Sequence, residues 1–144
     1  MSERTLVLLK PDTVRRGLMG EVLGRYEAKG LSVVAMDLRT IDGELADQHY
    51  AEHVERDFYP PLRAFVTSGP MVAMVLEGDE AVEVVRAVNG ATDGRKAAPG
   101  SIRGDLSMSN RENLVHGSDS AESAGREIAL FFPTLGELVR TARE

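Results

Sequence analysis

Apolar positions change period several times along the chain, and each change marks an element. Thr5–Lys10 is a short apolar run closed by Pro11-Asp12, which predicts a strand followed by a turn. Over Glu21–Lys29 the spacing of Val22, Leu23 and Tyr26 becomes helical, with Gly30 as a C-cap. Leu31–Ile41 is a second apolar, β-branched run and predicts another strand. Gly43–His53 reads as a helix, Asp57–Pro61 as a turn holding two prolines, and Leu62–Thr67 as a short helix. Met71–Leu76 is apolar at every position, as expected of a strand buried on both faces. Asp79–Val88 returns to helical spacing, with Ala81, Val82, Val84, Val85 and Val88 on its apolar side. Asn89–Gly104 has no period and is rich in glycine, so it reads as a long loop. Leu114–His116 predicts a last short strand. Ala121–Phe132 predicts an amphipathic helix with Ala124, Ile128, Phe131 and Phe132 inward, and 133–144 a short helix or an extended arm.

Strands and helices therefore alternate with neither repeats nor linkers. The pattern suits an α+β domain, a ferredoxin-like βαββαβ sandwich in which helices cover an antiparallel sheet, and one domain spanning 1–144. The stretch 89–112 is too long to be idle in a compact domain, because loops of that length usually carry function or are disordered.

Composition narrows the chemistry. Cysteine is absent, which removes disulfides, thiolate metal sites and thiol nucleophiles and fits a reducing, cytoplasmic setting. The apolar run Leu6–Leu9 ends at Lys10, far short of a membrane span. The net charge of −6 argues against a nucleic-acid partner. Within that acidic chain, residues 86–111 hold a local excess of three positive charges: Arg86, Arg95, Lys96, Arg103 and Arg111 against Asp93 and Asp105. Such an excess marks either a focused anion site or a basic loop paired with acidic neighbours.

His49-Tyr50-Ala51-Glu52-His53 fits the H-x-x-E-H pattern of some zinc hydrolases, and its two imidazoles would share a helix face. A catalytic zinc needs a third protein ligand and a base, for which the chain offers little beyond His116, so a solvated or partly packed helix face is the simpler reading. Neither glycine-rich phosphate-loop pattern occurs. Phosphates would have to be held by side chains, with Lys10, Arg86, Arg103, Thr92 and Asn113 as the available groups. His116 follows a strand and precedes a helix start marked by Asp119 and Glu122, a position where functional residues concentrate. Gly117 permits a backbone shape there that a larger residue resists, and Ser118 and Glu127 are possible partners for the ring. Imidazole with one free nitrogen is a competent nucleophile near neutral pH; a structural histidine is the alternative.

N-L-V-H-G-S-D-S at 113–120 resembles the active-site signature of nucleoside diphosphate kinases. The resemblance extends to T-L-V-L-L-K-P-D (5–12), H-Y-A-E-H (49–53), S-G-P-M-V-A-M-V-L-E-G (68–78), P-G-S-I-R-G-D (99–105) and S-A-E-S-A-x-x-E-I (120–128). It implies ping-pong transfer of the γ-phosphate from a nucleoside triphosphate, mainly ATP, to a nucleoside diphosphate. It makes His116 the nucleophile, Glu127 the holder of the other ring nitrogen, Ser118 the support of that carboxylate and Tyr50 a neighbour of the histidine. Lys10, Arg86 and Arg103 would clamp phosphates beside Thr92, Asn113 and Lys10 would face the ribose, and Phe58 would stack on the base. No protein metal site is implied; Mg²⁺ would arrive with the nucleotide. The resemblance also implies a homo-oligomer, with a hexamer favoured over a tetramer because the loop at Pro99-Gly100-Ser101 is present. A nucleotide-sensing domain without catalysis and a zinc hydrolase on His49 and His53 are the competing readings.

Overall fold

The computed structural model describes residues 2–135. Strand β1 (Ser2–Leu9) leads into a short helix α1 (Pro11–Arg15) and then α2 (Met19–Lys29). Strand β2 (Ser32–Arg39) follows, then helices α3 (Gly43–His49) and α4 (Tyr59–Val66). Strand β3 (Met71–Asp79) and helix α5 (Ala81–Asn89) precede a long connection that contains α6 (Ile102–Leu106). Strand β4 (Val115–Gly117) and helix α7 (Ala121–Phe131) end the described chain. The expectation for 133–144 falls, beyond Leu135, outside the described residues.

The four strands form one antiparallel sheet in the order β2-β3-β1-β4. This is the ferredoxin-like order expected from the element pattern, with β3 inserted between β1 and β2. Leu6, Leu8, Ala73 and Val75 face α3, α4 and α7, while Val7, Leu9, Val72, Met74 and Leu76 face α2, α5 and α6. The two central strands are therefore apolar at almost every position, which is why Met71–Leu76 shows no alternation.

Local chemistry moves several boundaries. Pro11 does not close a simple turn: it opens α1, where its missing N–H is not needed. Pro60 and Pro61 likewise lie in the first turn of α4, so the predicted turn at 57–61 is partly helix. In the loop expected over 89–104, Ser101 caps a single helical turn by accepting the Gly104 N–H (3.0 Å). Ser120, not Asp119, is the N-cap of α7, its hydroxyl accepting the Ser123 N–H at 3.0 Å from an extended backbone. Among the described residues no helix is long and apolar enough to cross a membrane.

Candidate active site

Strand β4 is short, and its place in the sheet decides where His116 goes. Val115 pairs with Leu9 and His116 with Leu8, so His116 shares the sheet face of α3 and α7. Gly117 is small because α5 crosses close by: a Cβ there would lie 2.8 Å from Val85 Cγ1. Close approach, rather than an unusual backbone angle, is what calls for glycine.

On that face His116 Nε2 meets Glu127 Oε1 at 2.8 Å, and the Ser118 hydroxyl donates to the same oxygen at 2.7 Å. Glu127 and Ser118 are buried, and Glu127 projects from α7 one turn before its end. Burial pushes the Glu127 carboxyl up, but the hydrogen bonds from His116 and Ser118 and the nearby charges of His116 and Arg126 outweigh it and hold the group below its ordinary range. A carboxylate can only accept, so Nε2 carries a proton and Nδ1 is the ring nitrogen left for chemistry. The pair thus presents an imidazole with one ring nitrogen committed to Glu127 and the other turned away from it.

A cleft of about 850 Å³ opens over this ring. Lys10, Arg86, Arg103, Thr92, Asn113 and Phe58, all predicted from the sequence, line it. Lys10 stands just past the end of β1 and donates from Nζ to Asn113 Oδ1 (2.9 Å). The Asn113 amide nitrogen donates in turn to the carbonyls of Thr92 and Asn110, each at 3.0 Å. Lys10 is buried, and that burial, with the charge of Arg103 second, pulls its ammonium down to about 8. Phe58 sits at the N-cap of α4, half exposed, where a flat ligand can reach its face.

Arg103 is tied to the backbone that flanks His116. Its guanidinium donates to the carbonyls of Asn113 (3.1 Å), Gly90 (2.9 Å) and Val115 (2.6 Å). The basic excess of residues 86–111 divides accordingly. Arg95 pairs with Asp93 and Asp105 pairs with Arg25, whereas Arg86, Arg103 and Arg111 face the cleft. The stretch thus holds both paired charges and cations that face the cleft.

The H-Y-A-E-H segment behaves differently from its expectation. Tyr50 lines the cleft with its hydroxyl buried, and burial, reinforced by the Glu127 charge, raises that phenol above its usual range. The ring packed on His116, however, is that of His49, edge to face with centroids 4.6 Å apart. His49 is buried rather than solvated, because α3 ends against Phe131 and the His116 ring. Burial first, and the His116 charge second, hold it well below the usual imidazole range, so it remains neutral. Spacing alone missed His49, since helix periodicity does not say what a helix end packs on. His53 lines the same cleft farther out, beside Phe58 (5.4 Å between ring centroids).

Residues 3–136 match the family model described as "Nucleoside diphosphate kinase". A nucleoside diphosphate kinase from a Nocardioides strain is 74% identical over 135 residues, 94% of this chain and 100% of that protein. One from Cutibacterium acnes is 65% identical over 92% of this chain and 96% of its own length. Among solved structures, a halophilic nucleoside diphosphate kinase from Halobacterium salinarum in complex with CDP superimposes with a TM-score of 0.89 at 51% identity, covering 92% of this chain and 88% of that one. With its sheet order, its histidine–carboxylate pair and this identity along nearly the whole length, the chain belongs to the nucleoside diphosphate kinase family.

Proposed function

We propose that this chain performs the family's phosphoryl transfer through His116. The enzyme moves a γ-phosphate from a nucleoside triphosphate to a nucleoside diphosphate by way of a histidine. In the first half, His116 Nδ1 attacks the γ-phosphorus while the bond to the oxygen bridging to the β-phosphate breaks, and the diphosphate leaves. In the second half, a terminal oxygen of another diphosphate attacks the same phosphorus, and the N–P bond breaks. No net proton is consumed, because the Nε2 proton stays on the ring, hydrogen-bonded to Glu127, whose carboxylate stabilises the positive charge that develops there.

The observation that carries this reading is the chain Ser118–Glu127–His116, with hydrogen bonds of 2.7 and 2.8 Å, at the edge of a cleft lined by cations. Phosphoryl transfer asks mainly for positioning and charge neutralisation. Lys10, Arg86 and Arg103 supply charge, Thr92 and Asn113 supply neutral polar groups, and Lys10 with Asn113 stands where a ribose would be held. Phe58 offers a π-face to any base, which suits a broad choice of nucleoside. Tyr50 packs behind, against His49. Mg²⁺ is proposed to come with the nucleotide and to neutralise charge on the phosphate oxygens. His49, His116 and Glu127 do bring ligand atoms within 4.8 Å of one another. The charges of Lys10 and Arg126 bear on the same spot, so the field there favours phosphate over a resident dication.

We also propose one domain over 1–144, a cytoplasmic setting and a homo-oligomer, with a hexamer favoured. The assembly is supported by strand β2, an outer strand of the sheet that leaves Met36 and Leu38 more than half exposed.

The test is a half-reaction. The protein is incubated with γ-labelled ATP and Mg²⁺, isolated, and then given unlabelled GDP or dTDP. The expected result is an acid-labile, base-stable label that moves to the diphosphate, with neither step in His116→Ala. Nucleotide binding without any label would instead support a sensing domain and refute catalysis by this route.

A further inference from the structure

Leu114, two residues before His116, has φ +74°, although it is a fully buried, non-glycine residue. The Val115 N–H donates to the Asn113 carbonyl at 2.8 Å across it. A hydrogen bond spanning three residues with positive φ at the centre is the rare, strained form of γ-turn, whose central φ is about +75°. A strained backbone beside a reacting group persists only where its surroundings over-determine it.

The surroundings here are specific. The Leu114 N–H donates to Asp12 Oδ2 at 3.0 Å. The Leu114 carbonyl accepts the Thr13 hydroxyl at 2.6 Å and the Lys10 N–H at 2.8 Å. Asp12 and Thr13 are both buried in α1, the helix that Pro11 opens directly after β1. Two side chains of α1 thus grip the donor and the acceptor of the strained residue. The next residue, Val115, enters the sheet opposite Leu9, and His116 then falls opposite Leu8 on the face of Glu127. A slip of one residue would turn His116 to the other face.

We propose that Asp12 and Thr13 are positioning residues for phosphoryl transfer, holding the turn at Leu114 in the form that aims His116 at Glu127 and the cleft. The proposal rests on the reading of His116 as nucleophile. Asp12 and Thr13 contact neither His116 nor a phosphate in this role; they act through the Leu114 peptide. Burial raises the Asp12 carboxyl and the Leu114 N–H and the Lys10 charge oppose that rise, so the acid also carries an electrostatic link to Lys10. The experiment must separate that link from the grip.

Single-turnover labelling by γ-labelled ATP is measured for Asp12→Ala, Asp12→Asn, Thr13→Val and Thr13→Ser, with ADP affinity and circular dichroism alongside. ¹⁵N-imidazole NMR of His116 reports whether Nε2 is still held by Glu127. Thr13→Val keeps shape while removing one hydroxyl, so it remains folded if Asp12→Ala does not. The expected result is labelling slowed by about tenfold or more in Asp12→Ala and Thr13→Val, with ADP affinity within about threefold of wild type. The His116 ring signal should shift in both, and Asp12→Asn and Thr13→Ser should recover most of the rate, because each restores the missing hydrogen-bonding group. Normal rates in folded Thr13→Val and Asp12→Ala would overturn the proposal. So would an Asp12→Asn as slow as Asp12→Ala, which assigns the effect to charge on Lys10. Label retained by His116→Ala is a different failure, since it removes the nucleophile reading and the proposal with it.

Discussion

Lys10 sits at the end of a buried strand with its ammonium beside Arg103 and Asn113, and it meets two opposing demands. A phosphate needs it charged, yet burial and the Arg103 charge hold it at about 8, well under the 10.5 of a free lysine. The two demands give opposite pH dependences. Nucleotide affinity should fall as pH rises through about 8. Stability should move the other way. Because the folded value lies below the unfolded one, the unfolded chain binds more protons between about 8 and 10.5, and stability rises with pH across that window. Urea titrations at several pH values should show this rise in the wild type and a smaller one in Lys10→Met. The same neighbourhood explains why short motifs mislead. H-Y-A-E-H has the spacing of a metal site, but His49 is spent as a buried neutral wall against His116, and His53 faces Phe58.

Among the elements, the connection from α5 to β4 does the most positioning. Gly90 ends α5 with φ +84° and ψ −179°, a region open essentially to glycine alone. A Cβ there would lie 2.3 Å from Ser101 Oγ, so the backbone of α5 and the cap of α6 touch at this residue. Its carbonyl is also an acceptor for Arg103. Gly90→Ala should therefore lower the unfolding free energy by about 2 kcal/mol or more, read as a shift in urea midpoint at unchanged slope. It should also weaken nucleotide binding, because a shift of the Gly90 carbonyl disturbs one of the three backbone acceptors that hold Arg103. Helix α6 was not legible beforehand. A single helical turn has no room to show a period, and its formation depends on the Ser101 cap and on burial of Ile102.

At the scale of the molecule, helices cover both faces of the sheet incompletely. Met36 and Leu38 pair with Met74 and Val72, so they lie on the face of α2 and α5, but at its outer edge beyond those helices. Exposed apolar residues on an eight-residue outer strand are a liability for a lone chain. Leu38→Glu should shift the sedimentation profile toward smaller species while leaving the half-reaction measurable. An unchanged profile would mean that β2 is not an interface between copies of the chain.

Read by itself, the sequence determined the order of the four strands and of the longer helices, their apolar faces and the candidate chemical groups: His116, Glu127, Ser118 and the cations of the cleft. Hydrophobic period and residue type are local properties, and the resemblance supplied the pairing of distant motifs. The tertiary structure decided what depends on contact between segments far apart in sequence. Leu8 opposite His116 sets the face of the nucleophile, Asp12 and Thr13 grip Leu114 across about a hundred residues, and His49 packs on a ring that follows it by more than sixty. Such contacts leave no period in the chain. They arise only when β4 closes the sheet against β1 and helices α3 and α7 meet over it, because backbone register and burial are properties of the assembled layers.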